Sequence, residues 1–176
     1  MTPTPVNGYV QVYTGNGKGK TTAAIGLAIR AAGAGLRVLF AQFVKGMKYS
    51  EINALERFAD RITVRQYGRG CFIGRAAGQE DIDAGIRGLH DARECLQSGR
   101  YDVVILDEAN IAMHYSLFTV EMLLEAVRGR KAGCEVVITG RYAPQALIDE
   151  ADLVTEMKEI KHYYNAGVEA RTGIER

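Results

Sequence analysis

Short apolar runs rich in Val, Ile and Phe recur along this chain between longer stretches of helical spacing. Strands alternating with crossover helices restrict the fold to an α/β design built on a mostly parallel sheet with helices on both faces. The expected strands are residues 8–13, 37–43, 62–67, 102–106, 135–139 and 153–157. Helices are expected over 21–32, 79–97, 119–128 and 144–150, with a less regular one over 50–58. No internal repeat or linker divides the 176 residues, so residues 1–176 are expected to form a single domain. From Lys158 onward the spacing has no clear period.

Composition closes off several function classes. With 22 Lys plus Arg against 21 Asp plus Glu, the net charge of +1 provides no long-range field for nucleic acid or an anionic membrane. Any anion site must therefore be local. Hydrophobic residues at 47% exclude a disordered chain. The three cysteines, Cys71, Cys95 and Cys134, are far apart and form neither a zinc spacing nor a disulfide framework. The start, M-T-P-T-P-V-N, has neither a basic nor an apolar stretch, and no apolar run approaches the ~18 residues of a membrane helix. A cytoplasmic protein is expected.

The strongest local signal is T-G-N-G-K-G-K-T-T, from Thr14 to Thr22, between an expected strand and an expected helix. That is the setting of a P-loop. Gly15, Gly17 and Gly19 let the backbone turn so that N–H groups, with those of Asn16 and Thr22, can face phosphate oxygens. The helix start adds its positive dipole end. Lys20 can reach terminal phosphates, Lys18 supplies a second cation, and the Thr21 hydroxyl is placed to ligate Mg2+. The general pattern has glycine six residues before the lysine, where this chain has Thr14. The competing interpretation is a glycine-rich turn with surface lysines. A deviant-loop ATPase would have its lysine at the position of Gly15, and this chain does not. The expected fold is thus a single-domain P-loop NTPase-like (RecA-like) α/β sheet.

A second signal is V-V-I-L-D-E, Val103 to Glu108, an apolar strand ending in two acids. In P-loop folds a strand beside the loop presents such an acid to magnesium, which makes Asp107 the metal-side carboxylate, with Glu108 at the metal or the nucleotide sugar. A solvated acid pair is the alternative. In I-T-G-R, Ile138 to Arg141, a strand delivers Arg141 to the edge where open α/β sheets bind ligands. Phosphate contact and surface cation remain equal possibilities for it. Tyr163 and Tyr164 are expected to pack against the sheet, and His90, His114 and His162 to be structural.

Together these segments resemble one family, the P-loop corrinoid adenosyltransferases of the ATP:cob(I)alamin type. The similarity runs through T-G-N-G-K-G-K-T-T-A-A, Q-F-V-K-G at Gln42 to Gly46, L-D-E, V-I-T-G-R and A-D-L-V-T-E-M. It continues in K-H-Y-Y-N-A-G-V-E-A-R-T-G-I-E from Lys161, which accounts for the otherwise unreadable tail. The resemblance implies transfer of the 5′-deoxyadenosyl group of ATP to the cobalt of a reduced corrinoid, releasing triphosphate. Cobalt(I) is then the nucleophile, so no Ser, Cys or His need attack.

By position, the resemblance implies nucleotide contacts at Arg30, Gln42, Lys45 and Arg141, and ribose hydroxyls at Glu108. It places Lys18 and Lys20 on the leaving triphosphate with Mg2+, and Phe72, in the loop 67–74, over the lower face of the corrinoid. The usual nearby tryptophan is missing, because the chain contains none. An external electron donor such as a reduced flavoprotein and a homodimer are also implied. The rival classes are a nucleoside or small-molecule kinase, which would release ADP, and an ATP-dependent switch, which would release ADP and phosphate.

Overall fold

The computed structural model describes residues 7–47, 49–68 and 77–175. Six strands form one sheet: β1 Val10–Thr14, β2 Val38–Phe43, β3 Ile62–Tyr67, β4 Val103–Asp107, β5 Glu135–Thr139 and β6 Leu153–Glu156. They lie in the order β3-β2-β4-β5-β1-β6, and every neighbouring pair is parallel. Between them run α1 Lys20–Gly33, α2 Ser50–Leu55, α3 Gln79–Ser98, α4 Ala109–His114, α5 Val120–Arg128 and α6 Gln145–Glu150. The expected helix over 50–58 divides into α2 and a 3-10 turn at Glu56–Phe58. A second 3-10 turn, Tyr163–Ala166, lies in the tail.

Side-chain alternation sorts the strand residues between two cores, as a period of two requires. Val38, Phe40, Val103, Ile105 and Val137 point to one face, where α1 packs through Ala24, Ala28 and Ala31. Three alanines at helical spacing let α1 lie close to the sheet. Leu39, Ala41, Phe43, Val104, Leu106, Val136 and Ile138 face the other way, under α3, α4, α5 and α6. Buried on both faces, β2 and β4 have every residue enclosed, as central parallel strands do. At the other edge β6 is exposed along its whole length.

The acid-bearing β4 is not beside β1, because β5 lies between them. The carboxyl ends of β1, β5 and β4 nevertheless share one rim, and backbone strain gathers there. Of the four non-glycine residues with positive φ among the described residues, Val44 follows β2, Glu108 follows β4 and Tyr142 lies just beyond β5, with φ of 67°, 60° and 62°. Left-handed conformations of such residues are uncommon and persist only where surrounding contacts enforce them.

Candidate functional site

The phosphate loop leaves β1 and enters α1 at Lys20, one residue earlier than the spacing suggests. Gly15 and Gly19 have φ of 90° and 123°, which glycine adopts without a Cβ clash. Gly17 is needed for a different reason. Its N–H donates to the Met157 carbonyl at 2.6 Å, and a Cβ there would meet that oxygen at 2.7 Å. The Gly17 amide is thus directed at the chain beyond β6 and not at the loop's interior. Asn16 and Thr22 are exposed, and the Thr14 hydroxyl accepts from the Ala143 N–H at 3.3 Å.

Lys20 is buried, and its ammonium donates to the carbonyls of Gly15 and Gly17, both at 2.7 Å. One of its three N–H groups stays uncommitted. Burial lowers its pKa, partly opposed by Glu108 and Asp107. Lys18 differs from expectation, because it is not a free second cation. It donates to Tyr163 Oη at 3.2 Å, the Ile174 carbonyl at 3.0 Å and Glu175 Oε1 at 2.9 Å. Those three acceptors use all of its N–H groups.

Asp107 is fully buried and reaches the loop although β5 intervenes. Thr21 Oγ1, at the start of α1, donates to Asp107 Oδ1 at 2.9 Å, and Thr139 Oγ1, at the end of β5, donates to the same oxygen at 2.7 Å. Gln42 Nε2 donates to Oδ2 at 3.0 Å. Thr139 fills the gap left by the intervening strand, and its oxygen also accepts the Glu108 N–H at 3.0 Å. Sequence reasoning missed this residue. Its signal was its place at the end of I-T-G-R, where Arg141 drew the attention.

Gln42 takes a different part from the expected nucleotide contact. Completely buried, it gives its N–H to Asp107 and accepts from Gln66 Nε2 at 2.8 Å, so it orients the carboxylate. Lys45 lies 3.8 Å from both Asp107 and Glu108, bridging the acids. Burial works against its charge, but the two carboxylates outweigh it and raise its pKa. Burial and the Asp107 charge raise the pKa of Glu108, with Lys45, Lys20 and Arg141 opposing. Arg141 is exposed and makes no hydrogen bond or ion pair among the described residues, yet acts on both Lys20 and Glu108. Asn110, buried at the start of α4, donates to the Gly140 carbonyl at 2.9 Å and ties that helix to the rim.

Arg30 is not brought to this site. It is exposed ten residues along α1 from Lys20, about 15 Å at the helical rise, and its charge acts on Tyr13. Tyr163 and Tyr164 do not pack against the sheet but are exposed in the tail. His114 stacks on Tyr142, with ring centroids 4.2 Å apart. Phe72 and Cys71 lie outside the described residues.

Thr21, Asp107 and Glu108 form an all-oxygen donor set, the kind Mg2+ takes. Among the described residues no group of three or more His, Cys, Asp or Glu could hold a metal ion. With phosphate oxygens as further ligands, the Thr21 hydroxyl and the two carboxylates have the chemistry to hold such an ion. No described helix is long and apolar enough to cross a membrane.

Residues 6–176 match the family described as ATP:corrinoid adenosyltransferase BtuR/CobO/CobP. Among curated proteins, the corrinoid adenosyltransferase of Pseudomonas aeruginosa is 35% identical over 169 residues, covering 96% of this chain and 83% of the relative. That of Escherichia coli K12 is 36% identical over 170 residues, covering 96% and 85%. Corrinoid adenosyltransferase CobA of Salmonella typhimurium gives the same identity and coverage. A phosphate loop tied to a buried strand-end acid, in a chain that matches from before β1 to its last residue, belongs to the ATP:corrinoid adenosyltransferase family.

Proposed function

We propose that residues 1–176 act as one domain that moves the 5′-deoxyadenosyl group of MgATP onto the cobalt of a reduced corrinoid, in the cytoplasm, and releases triphosphate. The observation that carries the site assignment is the direct hydrogen bond from Thr21 at the loop to the buried Asp107. A loop residue one hydrogen bond from a buried strand-end carboxylate supports reading the two as phosphate cradle and metal-side acid. When bound, Mg2+ would supply charge neutralisation on the phosphate chain, held by Thr21, Asp107 and Glu108.

The chain's own residues hold and orient. Lys20 has one free N–H for a phosphate oxygen, and its burial keeps water from screening that contact. Arg141 is a second cation at the rim, free to meet phosphate. Gln42, Thr139 and Lys45 fix the acids, and Glu108 accepts from the ribose hydroxyls. The cobalt of the substrate attacks C5′, so the protein needs no nucleophile of its own. Positioning and stabilisation of the leaving charge then supply the rate.

Phe72 is assigned to covering the lower face of the corrinoid, and the electron that prepares cobalt(I) comes from a separate donor such as a reduced flavoprotein. A homodimer accords with β6, whose Leu153 and Val154 are exposed at the sheet edge. Product analysis is the test. Incubation with MgATP, a corrinoid and a reductant should yield inorganic triphosphate and a light-sensitive cobalt–carbon product in equal amounts. ADP without a cobalt–carbon product would remove the proposal.

A further inference from the structure

A cavity of about 400 Å3 opens between the phosphate loop and the chain that follows β6, with Gly17, Lys18, Lys158, Glu159, Lys161 and Tyr163 on its wall. Lys158 and Lys161 are exposed and make no hydrogen bond or ion pair among the described residues. Glu159, the one acid on the wall, accepts from Asn165 Nδ2 at 3.4 Å. Lys18, at the boundary with the loop, is held by the Glu175 carboxylate, which Arg171 also grips through its backbone and guanidinium N–H groups.

The cavity lies on the β6 side of β1, whereas Asp107 and Glu108 lie beyond β5 on the other side. A nucleotide with its ribose at Glu108 and its phosphates across the loop therefore directs its far end toward this cavity. There the Gly17 N–H is not on offer, because Met157 takes it. An anion at that point needs side-chain cations instead.

We propose that the cavity is a subsite for the phosphate end farthest from the ribose, and for free triphosphate after transfer. Lys158 and Lys161 are its contacts, and Lys18 exchanges the Glu175 carboxylate for phosphate. The proposal rests on the phosphate-loop assignment and extends it. In the transfer, the cobalt(I) electron pair forms the Co–C5′ bond and the C5′–O bond breaks, its pair remaining on the triphosphate oxygen. Cobalt passes formally from +1 to +3. The leaving chain gains one negative charge, and cations at its far end favour that gain electrostatically.

Competition of inorganic triphosphate, ADP and AMP against a fluorescent ATP analogue tests the subsite on the full chain. The Lys158→Ala/Lys161→Ala double variant should lose tenfold or more in triphosphate affinity and less than threefold for ADP or AMP. Glu175→Gln should bind triphosphate several-fold more tightly than the parent, because the competitor for Lys18 is gone. Thermal melts without ligand should leave the double variant unchanged. Triphosphate affinity within twofold of the parent, or an equal loss for all three ligands, overturns the subsite. Weaker binding by Glu175→Gln overturns the exchange at Lys18. A parent protein that does not bind triphosphate removes the phosphate-loop assignment itself, which is a separate result.

Discussion

Replacing Thr139 by Val leaves a β-branched side chain of nearly the same shape at the end of β5 and removes a single hydroxyl. That hydroxyl donates to Asp107 at 2.7 Å and accepts from the Glu108 N–H at 3.0 Å, at a position with no solvent exposure. A hydrogen bond to a charged group contributes about 1.5–3 kcal/mol, and an orphaned buried donor costs about 1 kcal/mol more. The added methyl returns about 0.8 kcal/mol by burial. The net loss is then about 2–3 kcal/mol, well inside the roughly 5–15 kcal/mol of a typical domain, so the variant should fold. At about 2–4 °C per kcal/mol for a chain of this size, Tm should fall by about 5–10 °C. Urea denaturation and calorimetry measure the loss directly. Adenosyl transfer should fall mainly in kcat, because Asp107 and Glu108 lose their relative orientation, and Thr139→Ser should restore most of both properties. A Val variant within 0.5 kcal/mol of the parent, or a Ser variant no better than Val, would refute the bridging role.

Further outcomes can be checked independently. Lys20→Ala should abolish most triphosphate release while the fold survives, read by product assay beside circular dichroism, because the lysine's partners are two backbone carbonyls of the loop itself. Burial pushes the Cys134 thiol up to about 11 from its ordinary 9.0, so the folded state disfavours its thiolate. Its contribution is fully present below about pH 9 and lost as pH rises toward 11, about 2–3 kcal/mol in all. The stability difference between the parent and Cys134→Ala should shrink across that window in urea melts. Gly88→Ala gains about 1 kcal/mol of helix propensity, but its Cβ would lie 2.5 Å from the Tyr67 ring and 2.9 Å from Phe43. Overpacking should win, with a net loss of about 1–2 kcal/mol by chemical denaturation.

The parallel sheet was legible because each central strand is a continuous apolar run that only double-sided burial explains. Helix α4 was missed, since its six residues, Ala109 to His114, show no full period and begin from a left-handed Glu108 that no propensity rule anticipates. The loop and Asp107 could be chosen from the sequence because each lies at a strand end or in a known spacing, whereas Lys45 came with the family resemblance alone. Thr139 and Gln42 as orienting groups could not, because that depends on β5 and β2 flanking β4, a matter of strand order. The ties of Lys18 were hidden for a related reason. Its partners, Tyr163 and Glu175, are about 150 residues away, in a tail whose spacing is irregular. Arg30 lies about 15 Å along α1 from Lys20, because a helix that starts at the loop carries its later turns away from it.

The left-handed torsions at Val44, Glu108 and Tyr142 bear on how such a scaffold can be re-engineered. A segment grafted onto those strand tips from another sheet protein would arrive with the opposite backbone hand. It would aim its side chains away from the crevice even with every residue type well chosen. Changing the acceptor this protein takes therefore begins with dihedral angles at three positions, and only then with chemistry.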